Sequence, residues 1–263
     1  MTRQLALVLY LLATACDGAA KSPAPPVSAC REQRFEGSDF IVCDPGKGQM
    51  MLFAAGPRER PLRRFADLPV DPRLVAFAMN AGMFDDDGRP IGLASATGKQ
   101  AHKLNLKNGG GNFHLKPNGV FIVAGGGAAM IAASDAIPMF RMAPQLQTQS
   151  GPMLVIGGKL HPKLSPDGDS RYIRNGVGVA GGKALFVISV DAVSLGKFAR
   201  FFRDGLRMPD ALYFDGSVSS LWDPANGRMD SFTELGPIIV ALKPARAAKP
   251  AASAPGRAGR ARP

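Results

Sequence analysis

The chain has 263 residues, of which 46% are apolar, 20% charged and 7% aromatic. That balance is globular and excludes a coiled coil, a disordered polymer and a polytopic membrane protein. Of the formal net charge of +11, Arg3 and five cations beyond residue 243 supply six, leaving +5 on residues 16–243. The body has no basic helix and no interleaved aromatics, so no nucleic-acid partner is expected.

Met1-Thr2-Arg3 is a positive start, and residues 5–13 are an unbroken apolar run. The run is shorter than the roughly 20 residues a spanning helix needs. Residues 1–15, with the small-residue exit Ala13-Thr14-Ala15, read as a secretory signal peptide. Cys16 follows at once. Lipidation of Cys16 would anchor the exported chain to a membrane; plain cleavage is the alternative. Residues 16–29 contain Ser22-Pro23-Ala24-Pro25-Pro26 and read as a Pro-rich linker. Cys30 and Cys43 then remain as one pair for an oxidising compartment. A disulfide there closes a short loop, worth on the order of 3 kcal/mol in the chain-entropy model; two free thiols are the alternative.

From Cys30 onward, short apolar runs alternate with Gly, Pro or Asn turns. The 31 glycines and 22 prolines predict many short strands. Asp39-Phe40-Ile41-Val42-Cys43 and Met50-Met51-Leu52-Phe53-Ala54 read as strands paired around Pro45-Gly46-Lys47-Gly48. Residues 74–79 read as a buried strand. Phe113-His114-Leu115-Lys116 and Val120-Phe121-Ile122-Val123 flank Pro117-Asn118-Gly119 as a further hairpin. Two more hairpins are expected on Gly157-Gly158 and Gly181-Gly182. After Ser194, a candidate N-cap, Leu195, Phe198, Ala199, Phe202 and Leu206 recur at helical spacing and predict a helix over 195–207. The expected fold is α+β: a single domain over 30–243 with a largely antiparallel or mixed β-sheet, many hairpins and few helices. Residues 244–263 are a basic Ala/Pro/Arg tail without apolar periodicity.

Polar residues beside glycines at strand ends are the candidate chemistry, because backbone can approach a ligand closely there. Asn80 precedes Ala81-Gly82; Gln149-Ser150-Gly151-Pro152 opens a strand; Arg174-Asn175-Gly176 leads into another. Asp191 and Asp215 each follow an apolar strand. An acid at such a place is costly unless solvated, paired or working; an Asx-turn is the plain structural alternative for either one. Together with an arginine and an asparagine they suit an anionic, hydroxyl-rich substrate. Asp85-Asp86-Asp87-Gly88 lacks the spaced ligands of a calcium loop and reads as a charged turn. His102, His114 and His161 show no metal spacing, and Asn108-Gly109-Gly110-Gly111-Asn112 lacks the ending of a nucleotide loop.

The ordered series Asn80-Ala81-Gly82-Met83-Phe84, Gln149-Ser150-Gly151-Pro152, Arg174-Asn175-Gly176, Asp191 and Tyr213-Phe214-Asp215-Gly216-Ser217-Val218-Ser219, ending at Gly236-Pro237-Ile238-Ile239, resembles the phosphodiester glycosidase family. The resemblance implies an exported hydrolase that cleaves the glycosidic bond of a sugar-1-phosphodiester in the cell envelope, either in the periplasm or membrane-anchored. It implies catalytic roles for Asp215, Asp191 and Arg174, the two acids as a carboxylate pair and Arg174 as a phosphate clamp. It implies substrate contacts at Asn80, Gly82, Ser150, Gly151, Asn175, Gly216, Ser217 and Ser219. The partner is then a sugar phosphate or envelope glycan. No cofactor is expected, with a divalent metal left open. Two alternatives stand beside this reading: a non-catalytic glycan-binding lipoprotein, and a metal-assisted phosphodiesterase using Asp191 and Asp215 as ligands.

Overall fold

The computed structural model describes residues 27–56, 58–139 and 144–245. The expected signal peptide, Cys16 and nearly all of the tail lie outside them.

Among the described residues, seventeen short strands form three antiparallel sheets. The largest runs β1 (Cys30–Phe35), β2 (Ser38–Cys43), β13 (Lys183–Ser189), β12 (Asn175–Ala180), β14 (Asp210–Tyr213), β10 (Met153–Ile156) and β11 (Lys159–Leu160). The second runs β16 (Arg228–Met229), β15 (Leu221–Asp223), β4 (Val75–Asn80), β17 (Ile238–Leu242) and β3 (Met50–Phe53). The third runs β6 (Lys99–His102), β5 (Ala94–Ala96), β9 (Pro144–Ser150), β7 (Gly119–Ala124) and β8 (Ala129–Ala133). The fold is α+β, with one α-helix, α1 (Leu195–Arg200), among the described residues.

The main core lies where the three sheets meet, with Phe186 and Phe214 from the first, Phe77 and Met79 from the second and Phe121 from the third. All six residues of β4 are buried, which fits a strand that is apolar from Val75 to Met79 rather than alternating, and polar only at Asn80. The outer face of the seven-stranded sheet is covered by α1 and a π turn over Phe201–Gly205. Ser194 caps α1, its Oγ accepting from Lys197 N at 3.1 Å, as its position before the apolar stripe predicts. Phe202 packs against Gly178 of β12, where a Cβ would lie 2.7 Å from its ring, so a larger residue there would push the helix off the sheet.

Three expectations are corrected. The hairpin around Pro45-Gly46-Lys47-Gly48 is a crossing between sheets: β2 pairs with β1 and β13, while β3 pairs with β17. The true partner of β2 arrives through Glu36-Gly37, both at positive φ, and through the Cys30–Cys43 disulfide that joins opposed residues of the pair. The second expected hairpin is also absent. Phe113 lies in a 3-10 turn, Asn112–His114, and Asn118 Nδ2 donates to Phe113 O at 2.8 Å, so Pro117-Asn118-Gly119 closes on a side chain rather than a ladder. His114 is therefore not mid-strand; β7 pairs instead with β8, across Gly125-Gly126-Gly127, and with β9. Third, the α-helix stops at Arg200, with the π turn completing the segment. The hairpins on Gly157-Gly158 and Gly181-Gly182 form as expected.

Candidate functional site

The segment between β14 and β15 crosses from the first sheet to the second and carries Asp215 and Ser219. Two asparagines clasp the sheets beneath it. Asn175 Nδ2 donates to Asn80 O at 2.8 Å and to Asn80 Oδ1 at 2.9 Å. Asn80 Nδ2 donates to Asp215 O at 2.8 Å, and Asn80 Oδ1 also accepts from Ser220 N at 2.9 Å. Asn175 Oδ1 accepts from Ser219 Oγ at 3.2 Å. Both amides are buried and saturated. They hold the Asp215 segment in place and lie outside the cleft lining, so the structure gives Asn80 and Asn175 a framing place rather than the expected substrate contacts.

Asp215 is half-buried. Ser217 donates to its Oδ1 from both hydroxyl and backbone N–H, while Oδ2 has no protein partner among the described residues. Burial raises the carboxyl above its ordinary range, and the two Ser217 hydrogen bonds pull it partway back. Beside it runs a cleft of about 480 Å³ lined by Gly216, Ser217 and Ser219, with Tyr172 and Phe232 at 57% and 81% exposure forming its rim. Gly216 is needed sterically: a Cβ there would lie 1.7 Å from the Tyr213 hydroxyl.

Arg174 is 1% exposed. Its Nε donates to Val193 O at 2.7 Å, Nη1 to Tyr213 Oη at 2.8 Å and Nη2 to Ser170 O at 2.8 Å. Its guanidinium also lies 5.5 Å from the ring centres of Tyr172 and of Tyr213. Burial pushes the Tyr213 phenol up, opposed by the Arg174 cation. Arg174 thus fixes the wall of the cleft from behind. It is absent from the cleft lining, and its Nη2 also donates to Ser170 Oγ at 3.3 Å, so the structure gives the expected phosphate clamp a buried, wall-holding place instead.

The remaining expected positions divide similarly. Gly82, Ser150 and Gly151 are buried outside the cleft lining. Gly82 abuts Gln149 O, where a Cβ would lie at 2.4 Å, and Ser150 Oγ has no hydrogen-bond partner among the described residues. Asp191 is exposed; it follows Val190 of the cleft wall, and its Oδ2 accepts from Asp39 N at 2.8 Å. The structure shows no hydrogen bond between Asp191 and Asp215. Tyr172, Arg228, Asp230 and Phe232 line the cleft and were missed. Arg228 grips Asp230 from Nε at 3.0 Å and Nη2 at 2.7 Å, leaving Nη1 without a protein partner among the described residues. The alternating Arg228-Met229-Asp230 pattern was the available signal, since residues two apart on a strand share a face. Among the described residues, no three His, Cys, Asp or Glu side chains come together as metal ligands.

A half-buried carboxyl thus lies beside an open cleft with an arginine in its lining. Residues 74–230, more than half of the chain, match the phosphodiester glycosidase family model, and the chain belongs to that family. It is 37% identical over 151 residues to the Escherichia coli (strain K12) protein YigE, itself uncharacterized, the match covering 56% of this chain and 58% of that protein. The chain thus spans less than two thirds of that relative's length. It is also similar in fold to the zebrafish N-acetylglucosamine-1-phosphodiester alpha-N-acetylglucosaminidase catalytic domain auto-inhibited by its pro-peptide, with a TM-score of 0.56, 16% identity and 81% of each chain covered.

Proposed function

We propose that this protein is an exported hydrolase that cleaves the glycosidic bond of a sugar-1-phosphodiester, with Asp215 as the reacting carboxylate. The observation that carries the proposal is Asp215 itself: half-buried beside the cleft, one oxygen held by Ser217 and the other free, in a chain of this family. In this reaction the bond from the anomeric carbon to the phosphate oxygen breaks, and its electron pair leaves with the phosphate. That leaving group is already stable as an anion and needs little protonation. Asp215 either attacks the anomeric carbon or takes a proton from the water that attacks it; retention or inversion of configuration tells the two apart. Arg228, through its free Nη1, takes the phosphate role that Arg174 is too buried to fill. Asp191 is assigned to the cleft margin and the partner acid/base role is left to it only if its removal costs turnover. Tyr172 and Phe232 offer apolar ring faces to a sugar. Export to the periplasm or membrane is supported by the leader-like start and by the disulfide.

The test is hydrolysis of α-N-acetylglucosamine-1-phosphodiester by residues 17–263 in oxygen-18 water, read by mass spectrometry. Label on the free sugar is expected. Label on phosphate, with loss of turnover to a chelator, would instead establish a metal-assisted phosphodiesterase. No turnover across a panel of glycan phosphodiesters, with binding retained, would make it a glycan-binding protein.

The raised carboxyl has a kinetic consequence. If Asp215 must be ionised, kcat/KM falls as the pH drops through its titration, and burial places that acidic limb above the ordinary carboxylate range. Ser217→Ala deletes a hydrogen bond that favours the charged form, so the limb is expected to move to higher pH. A limb that stays in place would separate Asp215 from the titration that governs rate.

A further inference from the structure

The positive charge of the body is concentrated in one stretch. Between Asp87 and Asp135 the sequence contains no acid, yet carries Arg89, Lys99, Lys103, Lys107 and Lys116. These account for the whole +5 of residues 16–243, so the rest of the body is neutral. Arg89 and Lys99 are cancelled locally by Asp87 and Glu59. Lys103, Lys107 and Lys116 have no carboxylate partner among the described residues, and Lys116 Nζ donates to Leu106 O at 2.7 Å.

This segment is fastened from beneath. The buried Gln149 side chain accepts from Asn105 N at 2.9 Å and donates to Asn105 O at 2.7 Å. Asn105 Nδ2 reaches Ile91 O at 2.8 Å, and Asn105 Oδ1 accepts from Lys107 N at 3.1 Å. Leu104 packs inward on Leu93, Val120 and Ile122, whereas Leu106 is 43% exposed. Residues 100–107 line a groove of about 520 Å³. The exposed run Asn108-Gly109-Gly110-Gly111 follows, and its backbone N–H groups have no protein partner among the described residues.

We propose that residues 103–116 dock this face on an anionic phospholipid surface. An exposed leucine set among ammonium groups, on a backbone already held in place, matches the interface between acyl chains and headgroup phosphates. The lysines and free glycine N–H groups meet the phosphates, and Leu106 reaches below them. A soluble glycan phosphate would use the same cations but leave Leu106 and the groove without a role. The inference is independent of the reaction assigned to Asp215.

The test uses residues 17–263, which retain every described element, with vesicles of mixed phosphatidylglycerol and phosphatidylcholine. Each lysine near such a surface contributes ~5-fold to binding, so Lys103→Ala, Lys107→Ala and Lys116→Ala together are expected to cost on the order of 100-fold. The triple replacement by Arg restores binding. All variants share the basic tail, so the differences report this segment alone; equal binding by wild type and the Ala variant overturns the proposal. A local readout comes from Leu106→Trp, whose emission should shift to the blue and be quenched by brominated lipid. Unmoved Leu106→Trp emission, with displacement of the protein by soluble polyphosphate, would assign the site to a soluble polyanion and overturn the bilayer as occupant.

Discussion

Asp215→Asn is expected to lower kcat on the order of 10²–10⁴-fold, the range a positioned acid–base group contributes, while leaving ligand affinity near wild type. The substitution keeps shape, and Asn Oδ1 can still accept from Ser217, so the cleft should keep its form. What is lost is the charge that an oxocarbenium-like transition state requires. The same variant carries an opposite signature in stability. Burial raises the Asp215 carboxyl, so the folded state holds that proton more tightly than the unfolded chain does. Folding stability therefore falls as the pH rises above the ordinary carboxylate range, and a neutral amide escapes the loss. Asp215→Asn should thus unfold at a higher temperature than wild type at neutral pH. Loss of turnover with a gain in stability marks a residue kept for chemistry; turnover close to wild type removes Asp215 from the mechanism. Asp191→Asn, measured alongside, is expected to change kcat little.

Arg174→Met makes the contrasting case. It strands Val193 O, Tyr213 Oη and Ser170 O in a buried setting, each at a cost of roughly 1–3 kcal/mol. Removing a buried cation that has no carboxylate partner among the described residues offsets part of this. A net loss of about 3 kcal/mol is expected, a fall of roughly 6–12 °C in Tm for a domain of this size. Arg174→Lys should not rescue it, because a single ammonium cannot follow a planar fork to three separate oxygens. The folded fraction of Arg174→Met should keep a KM near wild type. A large rise in KM with unchanged Tm would return Arg174 to the role of phosphate clamp and sink the scaffold reading.

Much of the fold was legible because its signals are local. Buried β4 reads as an apolar run, Gly157-Gly158 and Gly181-Gly182 as hairpin turns, and Ser194 as a cap. Partner choice was not. Residues 50–53 could pair with any apolar strand, and their actual partner, β17, lies almost two hundred residues away. Pro117-Asn118-Gly119 carries the residues of a hairpin, but Asn118 spends its amide on Phe113 O, a competition that turn chemistry alone does not reveal. The site was legible as a set of residues and illegible as a set of roles. Asn80, Arg174 and Asn175 are found near Asp215, yet burial makes them structural, and burial depends on how sheets dock rather than on any short motif. Arg228 was passed over because its only signal is a two-residue alternation with Asp230, and Tyr172 and Phe232 because an exposed aromatic carries no local pattern.

The asparagine clasp also divides the site into parts that can change at different rates. Asn80 and Asn175 have no spare hydrogen-bonding capacity, so replacing either leaves several buried groups without partners. The cleft margin is free of that constraint. Tyr172 and Phe232 are exposed, and new side chains there cost the fold little. Descendants of such a chain can therefore trade one ligand for another at the rim while the frame that presents Asp215 stays as it is.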